Sequence, residues 1–354
     1  MTNPVLAEDL RYLRSKQDGD AFTGQTIVIT GFAGFLGYYF CQYLLTLDIR
    51  RLILLDNFCL RKPDWVAALA SDARVDVRAF DIVRDEYTGA DLAAANYVVH
   101  MASIASPTFY RQHPIATFEA NVLGLRTLLE FYRDSSCLKG LLFFSSSEIY
   151  GEPSLLFVPT DEDFPGEVSC TGPRACYDES KRIGETLCYI YAQTYGMPIG
   201  VARPFNNYGP GMSLDDRRLP ADFAKAVLSG QNIIIHSDGR PTRTYCYVAD
   251  ALDGYLRILT AGNYDYYNIG MDFPMLTVSE MAELYCAVAQ ELYGYNGTIE
   301  YQPSDDPEYL VDNPKRRGPS ITKARILLGY EPQIRPVDGI RRYLRFLHSE
   351  QELP

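Results

Sequence analysis

Tyr177 and Lys181, in the segment CYDESKR, stand four residues apart. On a helix that spacing puts both side chains on one face. A phenol beside an ammonium is biased toward phenolate, below its usual pKa of about 10. Such a tyrosine can take a hydroxyl proton while hydride leaves the same carbon for a nicotinamide. YxxxK alone occurs in many helices. Here it lies downstream of Ser145-Ser146-Ser147-Glu148, a run that could supply hydrogen bonds and a carboxylate next to the pair. The plainer alternatives are that the serines merely end a strand and that Glu148 caps a helix.

A second cluster precedes it. TIVIT is followed at once by GFAGFLG, with glycines at Gly31, Gly34 and Gly37. After a strand and before an apolar helix, such glycines form a dinucleotide-binding turn. Gly31 permits the tight turn, Gly34 lets backbone approach a pyrophosphate, and Gly37 lets helix pack on strand. The helix N-terminus then faces the phosphates. Asp56 ends the next apolar run, where a carboxylate takes the adenosine ribose hydroxyls and repels a 2′-phosphate, favouring NAD over NADP. Asp81 and Ile82 end the third run and could meet the adenine edge.

These residues need a sheet to hold them. Strands are expected at Thr26–Thr30, Arg51–Leu55, Val75–Phe80, Tyr97–Met101, Gly140–Ser145 and Pro198–Arg203, with helices such as Gly34–Leu47, Pro114–Arg133 and Asp178–Tyr195 between them. Near-continuous apolar strands alternating with helices give an α/β fold, a doubly wound parallel Rossmann sheet. After Phe205 the chain turns turn-rich, and a smaller C-terminal α/β substrate domain is expected. The expected division is an N-terminal extension (1–23), a cofactor domain (24–205) and a substrate domain (206–354), with 245–270 returning to the main sheet. Leu6, Leu10 and Leu13 could make one short apolar helix face. Further helices are expected at Pro220–Ser229 and at Val278–Tyr293, the latter opened by a Thr277/Glu280 capping box. A last helix, capped by Ser320, should stop at Gly329.

Composition narrows the partners. With 354 residues, 47% hydrophobic and 22% charged, the chain has globular composition, and its net charge of -12 argues against nucleic acid. No apolar run approaches the roughly 20 residues of a membrane span, and the N-terminus lacks a signal-like apolar stretch. Eight scattered cysteines without CxxC read as reduced thiols of a cytoplasmic protein, and four histidines without ligand spacing give no metal site. His113, His236 and His348 read as structural or exposed.

GFAGFLG, LLDNF, HMASIASP, NVLGLRTLL, SSSEIYGEP, YDESKR and ARPFNNYGPGM together resemble the extended short-chain dehydrogenase/reductase family of NAD-dependent epimerases, dehydratases and decarboxylases, from about Gly24 to Phe346. The resemblance implies NAD as cofactor and a UDP- or TDP-linked sugar as substrate. It places Phe32, Phe35, Leu36, Asn57, Met101, Ala102 and Arg203, besides the residues above, around the cofactor, with His100 opening the nicotinamide side. Ser103, Asn121, Asn206, Arg243 and Arg317 fall on the substrate side, Arg243 toward the diphosphate; either arginine could instead be a surface ion-pair partner. Within the family, Ser147-Glu148, RACYDESKR and KRRGPSI most resemble UDP-glucuronate decarboxylases, whose arginine at the Arg317 place reaches the active site. Simple 4-epimerases usually carry a small residue in place of Glu148. Glucose-nucleotide 4,6-dehydratases have Asp where Ser147 stands, but GDP-mannose 4,6-dehydratases share the Ser-Glu pair, so dehydratase and epimerase readings stay open. The expected roles are Tyr177 as C4 base, Lys181 as its tuner, and Ser146 or Ser147 as partner of the C4 oxygen. Glu148 would handle a proton or water near C5–C6, and Arg317 would orient the acid. An inactive NAD-binding regulator is a remote alternative. Family analogy also suggests a homodimer through helices 114–133 and 178–195, whose apolar faces could equally be internal core.

Overall fold

A computed structural model describes residues 3–306, 308 and 310–351. The apolar runs form strands: β1 (Thr26–Thr30), β2 (Arg51–Asp56), β3 (Val75–Ala79), β4 (Tyr97–His100), β5 (Gly140–Phe144) and β6 (Ile199–Pro204). With Asp265–Ile269 they make a seven-stranded sheet in the order Asp265–Ile269, β6, β5, β4, β1, β2, β3, every pairing parallel. Alternate side chains of a strand face opposite sides. Accordingly Ile27 and Ile29 enter one core and Val28 the other. The order reverses between β4 and β1, so a crevice opens beyond their carboxyl ends, at Gly31 and Met101.

Three expectations change. Of 245–270, expected to return to the main sheet, only Asp265–Ile269 does so; Cys246–Tyr247 pairs with Asn207–Tyr208 and Val248–Ala261 is a helix. The segment expected as one helix over 114–133 is helical at Pro114–Glu119 and Leu125–Tyr132 but widens to a π turn at Ala120–Gly124. Residues 4–16, within the extension, bear out the expected leucine-faced helix. They form a helix, capped by Asn3 with Pro4 in its first turn, that buries Val5, Leu6 and Leu13 in the main core. Its Asp9 is fully buried and accepts hydrogen bonds from the Tyr39 and Tyr247 hydroxyls and from Arg342. Finally, Ser320 does not cap the helix Thr322–Leu328; its hydroxyl meets that of Thr322. That helix stops at a left-handed Gly329 as expected, but another, Pro336–Gln351, follows.

In the second half Val278–Tyr293 is helical with its Thr277/Glu280 box formed. A small sheet sets Thr242–Arg243 between Leu276–Thr277 and Arg316–Arg317, with Arg243 and Arg317 in register. Two arginines 74 positions apart in the sequence thereby stand side by side. Among the described residues no helix is long and apolar enough to cross a membrane.

Candidate active site

A cavity of about 1020 Å³ runs along the carboxyl ends of the strands. Among the residues singled out from sequence, it is lined by Gly31, Gly34, Phe35, Leu36, Gly37, Asp56, Asn57, Asp81, Ile82, Met101, Ala102, Ser103, Ser146, Ser147, Glu148, Tyr177, Lys181, Asn206, Arg243 and Arg317. His113 and His236, expected to be merely structural or exposed, line it as well.

At the glycine turn, Gly31 adopts φ +72°, and a Cβ there would lie 2.5 Å from the Ala102 backbone. A Cβ on Gly37 would lie 2.0 Å from the Phe32 carbonyl oxygen, so that contact admits glycine alone. Gly34 has ordinary φ and its Cβ position meets only the Gly31 oxygen, at 3.5 Å; it caps the helix Phe35–Leu44, whose first turn borders the cavity. Asp56 is anchored by backbone N–H groups of Ala33 and Phe58, one to each carboxylate oxygen. Burial raises its pKa, partly offset by those donors. Each oxygen keeps acceptor capacity for a ligand hydroxyl. A bare helix N-terminus with a buried acceptor one strand away fits the pyrophosphate and ribose of NAD.

The Tyr177–Lys181 pair lies on the helix Ala175–Tyr195. The Tyr177 ring stacks on Tyr110, centroids 4.9 Å apart, and Lys181 Nζ stands 5.6 Å from the Tyr177 ring. Lys181 donates to the Phe144 carbonyl at 2.7 Å. Burial dominates both: it pushes the phenol up to about 12, with Ser146 opposing, and the ammonium down to about 7. The sequence argument that the lysine would lower the tyrosine is therefore reversed in the protein alone, because desolvation penalises both charged forms.

Glu148 opens a short turn after β5 and sits between two guanidinium groups, Arg174 on one oxygen and Arg317 on the other. Burial alone would raise its pKa, but the two arginines outweigh that and hold it at about 2. Glu148 is thus an anion, and a poor proton donor. Arg317 is 3% exposed, and its Nε and Nη2 have no partner among the described residues. Arg243 donates to the carbonyls of Thr242 and Pro314 and to Asn313, while burial and Arg317 bring it down to about 10. Asn206 holds φ +43° and donates to the Thr244 carbonyl. The capping and surface-pair alternatives for Glu148, Arg243 and Arg317 fail on this geometry.

Three assigned residues stand elsewhere, and one histidine is hidden. Arg203 forms a bidentate pair with Glu185 and donates to the Tyr150 hydroxyl and the Glu162 carbonyl, a buried tie beneath the site. Phe32 points its fully buried ring at Phe58 and Trp65. Asn121, in the π turn, is buried and donates to the Ser180 hydroxyl. His100 is buried with Nδ1 2.7 Å from the Thr30 hydroxyl, and burial brings its pKa down to about 3; Met101 and Ala102 do the lining.

Residues that sequence reasoning missed are Arg174, Tyr110 and Arg218. Arg174 stands in the quoted RACYDESKR, three positions before Tyr177, and the helical spacing could have revealed it. Arg218 pairs with Asp216 and lies 5.8 Å over the Phe35 ring; nothing in its local sequence marks it.

The model of the "NAD dependent epimerase/dehydratase family" matches residues 27–270. UDP-glucuronic acid decarboxylase 5 of Arabidopsis thaliana is 33% identical over 89% of this chain and 86% of its own. UDP-glucuronic acid decarboxylase 1 of Danio rerio is 32% identical over 92% and 73% respectively. Among solved structures, UDP-glucose 4-epimerase of Thermotoga maritima superposes with a TM-score of 0.78 at 24% identity, covering 92% of this chain and 99% of that one. The dTDP-glucose 4,6-dehydratase of Streptomyces venezuelae, solved with NAD bound, gives 0.77 at 24% identity over 92% and 98%. These structures share the doubly wound fold, and with the family model and the sequence relatives they lead to one assignment: the chain belongs to the NAD-dependent epimerase/dehydratase family.

Proposed function

We propose that the protein is an NAD-dependent decarboxylase of UDP-glucuronate, working through oxidation at C4. The observation that carries the reading is the buried Arg317, with donors left for an acid, beside an anionic Glu148 in the cavity that Tyr177 also lines. The relatives named as UDP-glucuronic acid decarboxylases support it.

The helix N-terminus at Gly34 and the Asp56 carboxylate would hold NAD, which when bound accepts hydride from a carbon bearing a hydroxyl. Tyr177 takes the C4 hydroxyl proton, and Ser146 or Ser147 hydrogen-bonds the C4 oxygen. For that transfer Tyr177 starts as a phenolate, and the Lys181 ammonium beside it stabilises that form until the proton arrives and restores the phenol. The resulting ketone is β to the C6 carboxylate, so the C5–C6 bond breaks with its electron pair entering an enolate, and carbon dioxide leaves. Arg317 holds the carboxylate in place for that step. Glu148 keeps Arg174 and Arg317 aligned and orders water near C5, which then takes up one proton. A C4 hydride return gives UDP-xylose; release before it gives the 4-keto pentose.

Mass spectrometry of UDP-glucuronate incubated with protein and NAD tests the reading. A product lighter by carbon dioxide is expected, with the ratio of pentose to 4-keto product reporting hydride return. Loss of water, or no change in mass, would replace it with the dehydratase or epimerase reading, and the TDP-linked substrate would be compared in the same run.

Assembly as a homodimer is part of the proposal. Ile115, Phe118, Leu123, Tyr189 and Ile190, on the helical segments expected to form the dimer contact, are 40–74% exposed, apolar side chains that a second copy would cover. Sedimentation equilibrium should give twice 39.9 kDa. A cytoplasmic location is also part of the proposal, supported by eight scattered cysteines with no CxxC spacing, and fractionation of the source cells checks it.

A further inference from the structure

Next to Glu148 lies a second buried carboxylate. Asp178, in the first turn of the helix Ala175–Tyr195, is 5% exposed. Its Oδ2 stands 3.5 Å from Arg174 Nε, and its Oδ1 has no hydrogen-bond partner among the described residues. Every element packed around it brings a titratable or charged group. Its own helix brings Cys176 and Tyr177, and the residue before that helix is Arg174. Glu148 comes from the turn after β5, Arg317 from the small C-terminal sheet and Tyr110 from the helix Pro107–Gln112.

The two carboxylates share one arginine unequally. Glu148 has Arg174 and Arg317, one on each oxygen, whereas Asp178 has only the longer contact to Arg174. Arg243, which also acts on Glu148, already donates to Thr242, Asn313 and Pro314. A sugar carboxylate arriving at Arg317 competes with Glu148, which then leans harder on Arg174. The worst-paired anion in that group is Asp178, and a buried carboxylate that loses its cation takes a proton instead. We propose that Asp178 takes up a proton when a glucuronate carboxylate binds at Arg317, and so sets the pH dependence of acid-substrate binding. The inference rests on the reading of the substrate as a sugar acid. Burial and the neighbouring Glu148 already push Asp178 up to about 7, so the uptake costs little near neutrality.

Isothermal titration of the NAD-loaded protein, in buffers of different ionisation enthalpy near pH 7.5, counts the protons taken up. A Tyr177→Phe background stops turnover, and UDP-glucuronate is compared with UDP-glucose. The expected result is uptake on the order of half a proton with UDP-glucuronate and close to none with UDP-glucose. Adding Asp178→Asn should abolish the uptake, Asp178→Glu should restore it, and UDP-glucose affinity should stay within about twofold, which also shows that the variants fold. Uptake that persists in Asp178→Asn, or is missing with Asp178 present, overturns the inference while leaving the sugar-acid reading intact. UDP-glucuronate that fails to bind at all, with no carbon dioxide released by the unaltered protein, overturns that reading and the inference with it.

Discussion

Glu148→Gln removes one charge from the middle of three. The arginines on either side hold the glutamate at about 2 against an ordinary 4.5, the burial penalty already included. At about 1.4 kcal/mol for each pH unit, that fall is worth about 3 kcal/mol of native stability. The side chain is 19% exposed, so solvent screening trims this only slightly. The sign follows from the lowered pKa: the contribution is complete above the unfolded value of about 4.5 and disappears as pH falls through about 2. Urea unfolding of the protein without nucleotides should therefore show Glu148→Gln about 3 kcal/mol weaker at pH 7, the gap narrowing as pH falls below about 4.5. Carbon dioxide release from UDP-glucuronate should drop at least about 100-fold, because Arg174 and Arg317 lose the anion that aligns them. A gap under about 1 kcal/mol at pH 7, or one that does not narrow with acid, would refute the electrostatic account. Near-normal carbon dioxide release would remove Glu148 from the chemistry.

Gly37→Ala puts a Cβ 2.0 Å from a backbone oxygen that has no rotamer to escape into. NADH binding followed by fluorescence should weaken more than about tenfold, with at least about 2 kcal/mol of stability lost; unaltered binding would mean the turn relaxes freely. Arg203→Met strands the half-hidden Glu185 and should cost about 3 kcal/mol in urea unfolding while NADH affinity stays within about twofold, whereas a selective affinity loss would return Arg203 to the cofactor. His100, held neutral down to about 3 by burial, resists a proton that the unfolded chain accepts near 6.5. Stability should therefore fall as pH drops from about 6.5 toward 3, and His100→Asn should flatten that slope by up to about 1.4 kcal/mol per pH unit, equal slopes being the contrary result.

What the sequence disclosed and what it hid follow from distance along the chain. The glycine turn, Asp56 and the Tyr177–Lys181 pair are local patterns: a strand, a turn and one helix face bring their members together whatever the rest does. The cluster around Glu148 is not local, since Arg174 lies 26 positions away and Arg317 169. The resemblance supplied Arg317, but no spacing rule joins it to Glu148, and Arg174 went unnoticed in a motif read for its tyrosine. Arg203 shows the opposite failure. The resemblance puts Arg203 around the cofactor, but which way its side chain turns depends on Glu185, on the neighbouring helix. The N-terminal helix was visible as a leucine pattern, yet its attachment rests on Asp9 meeting Tyr39, Tyr247 and Arg342, partners up to 333 positions distant.

The same long-range packing explains why an acid substrate would be preferred. A chain with 45 acidic and 33 basic side chains nonetheless buries Arg174 and Arg317 together at one end of its cavity. Two donors of Arg317 are buried with no partner among the described residues, and each such group costs on the order of 1–3 kcal/mol. A carboxylate in reach relieves that cost and gains charge-assisted hydrogen bonds in the same step. A neutral hydroxymethyl group offers at most a weaker neutral acceptor and leaves the charge unmatched. Sites built to bind a specific polar group reject analogues lacking it strongly, because their own buried groups are then left wanting. Under the proposed function Arg317 would therefore select for the sugar acid through the cost of binding anything else, and Glu148, by holding the guanidinium in place, would make that selectivity a property of the folded protein rather than of the ligand.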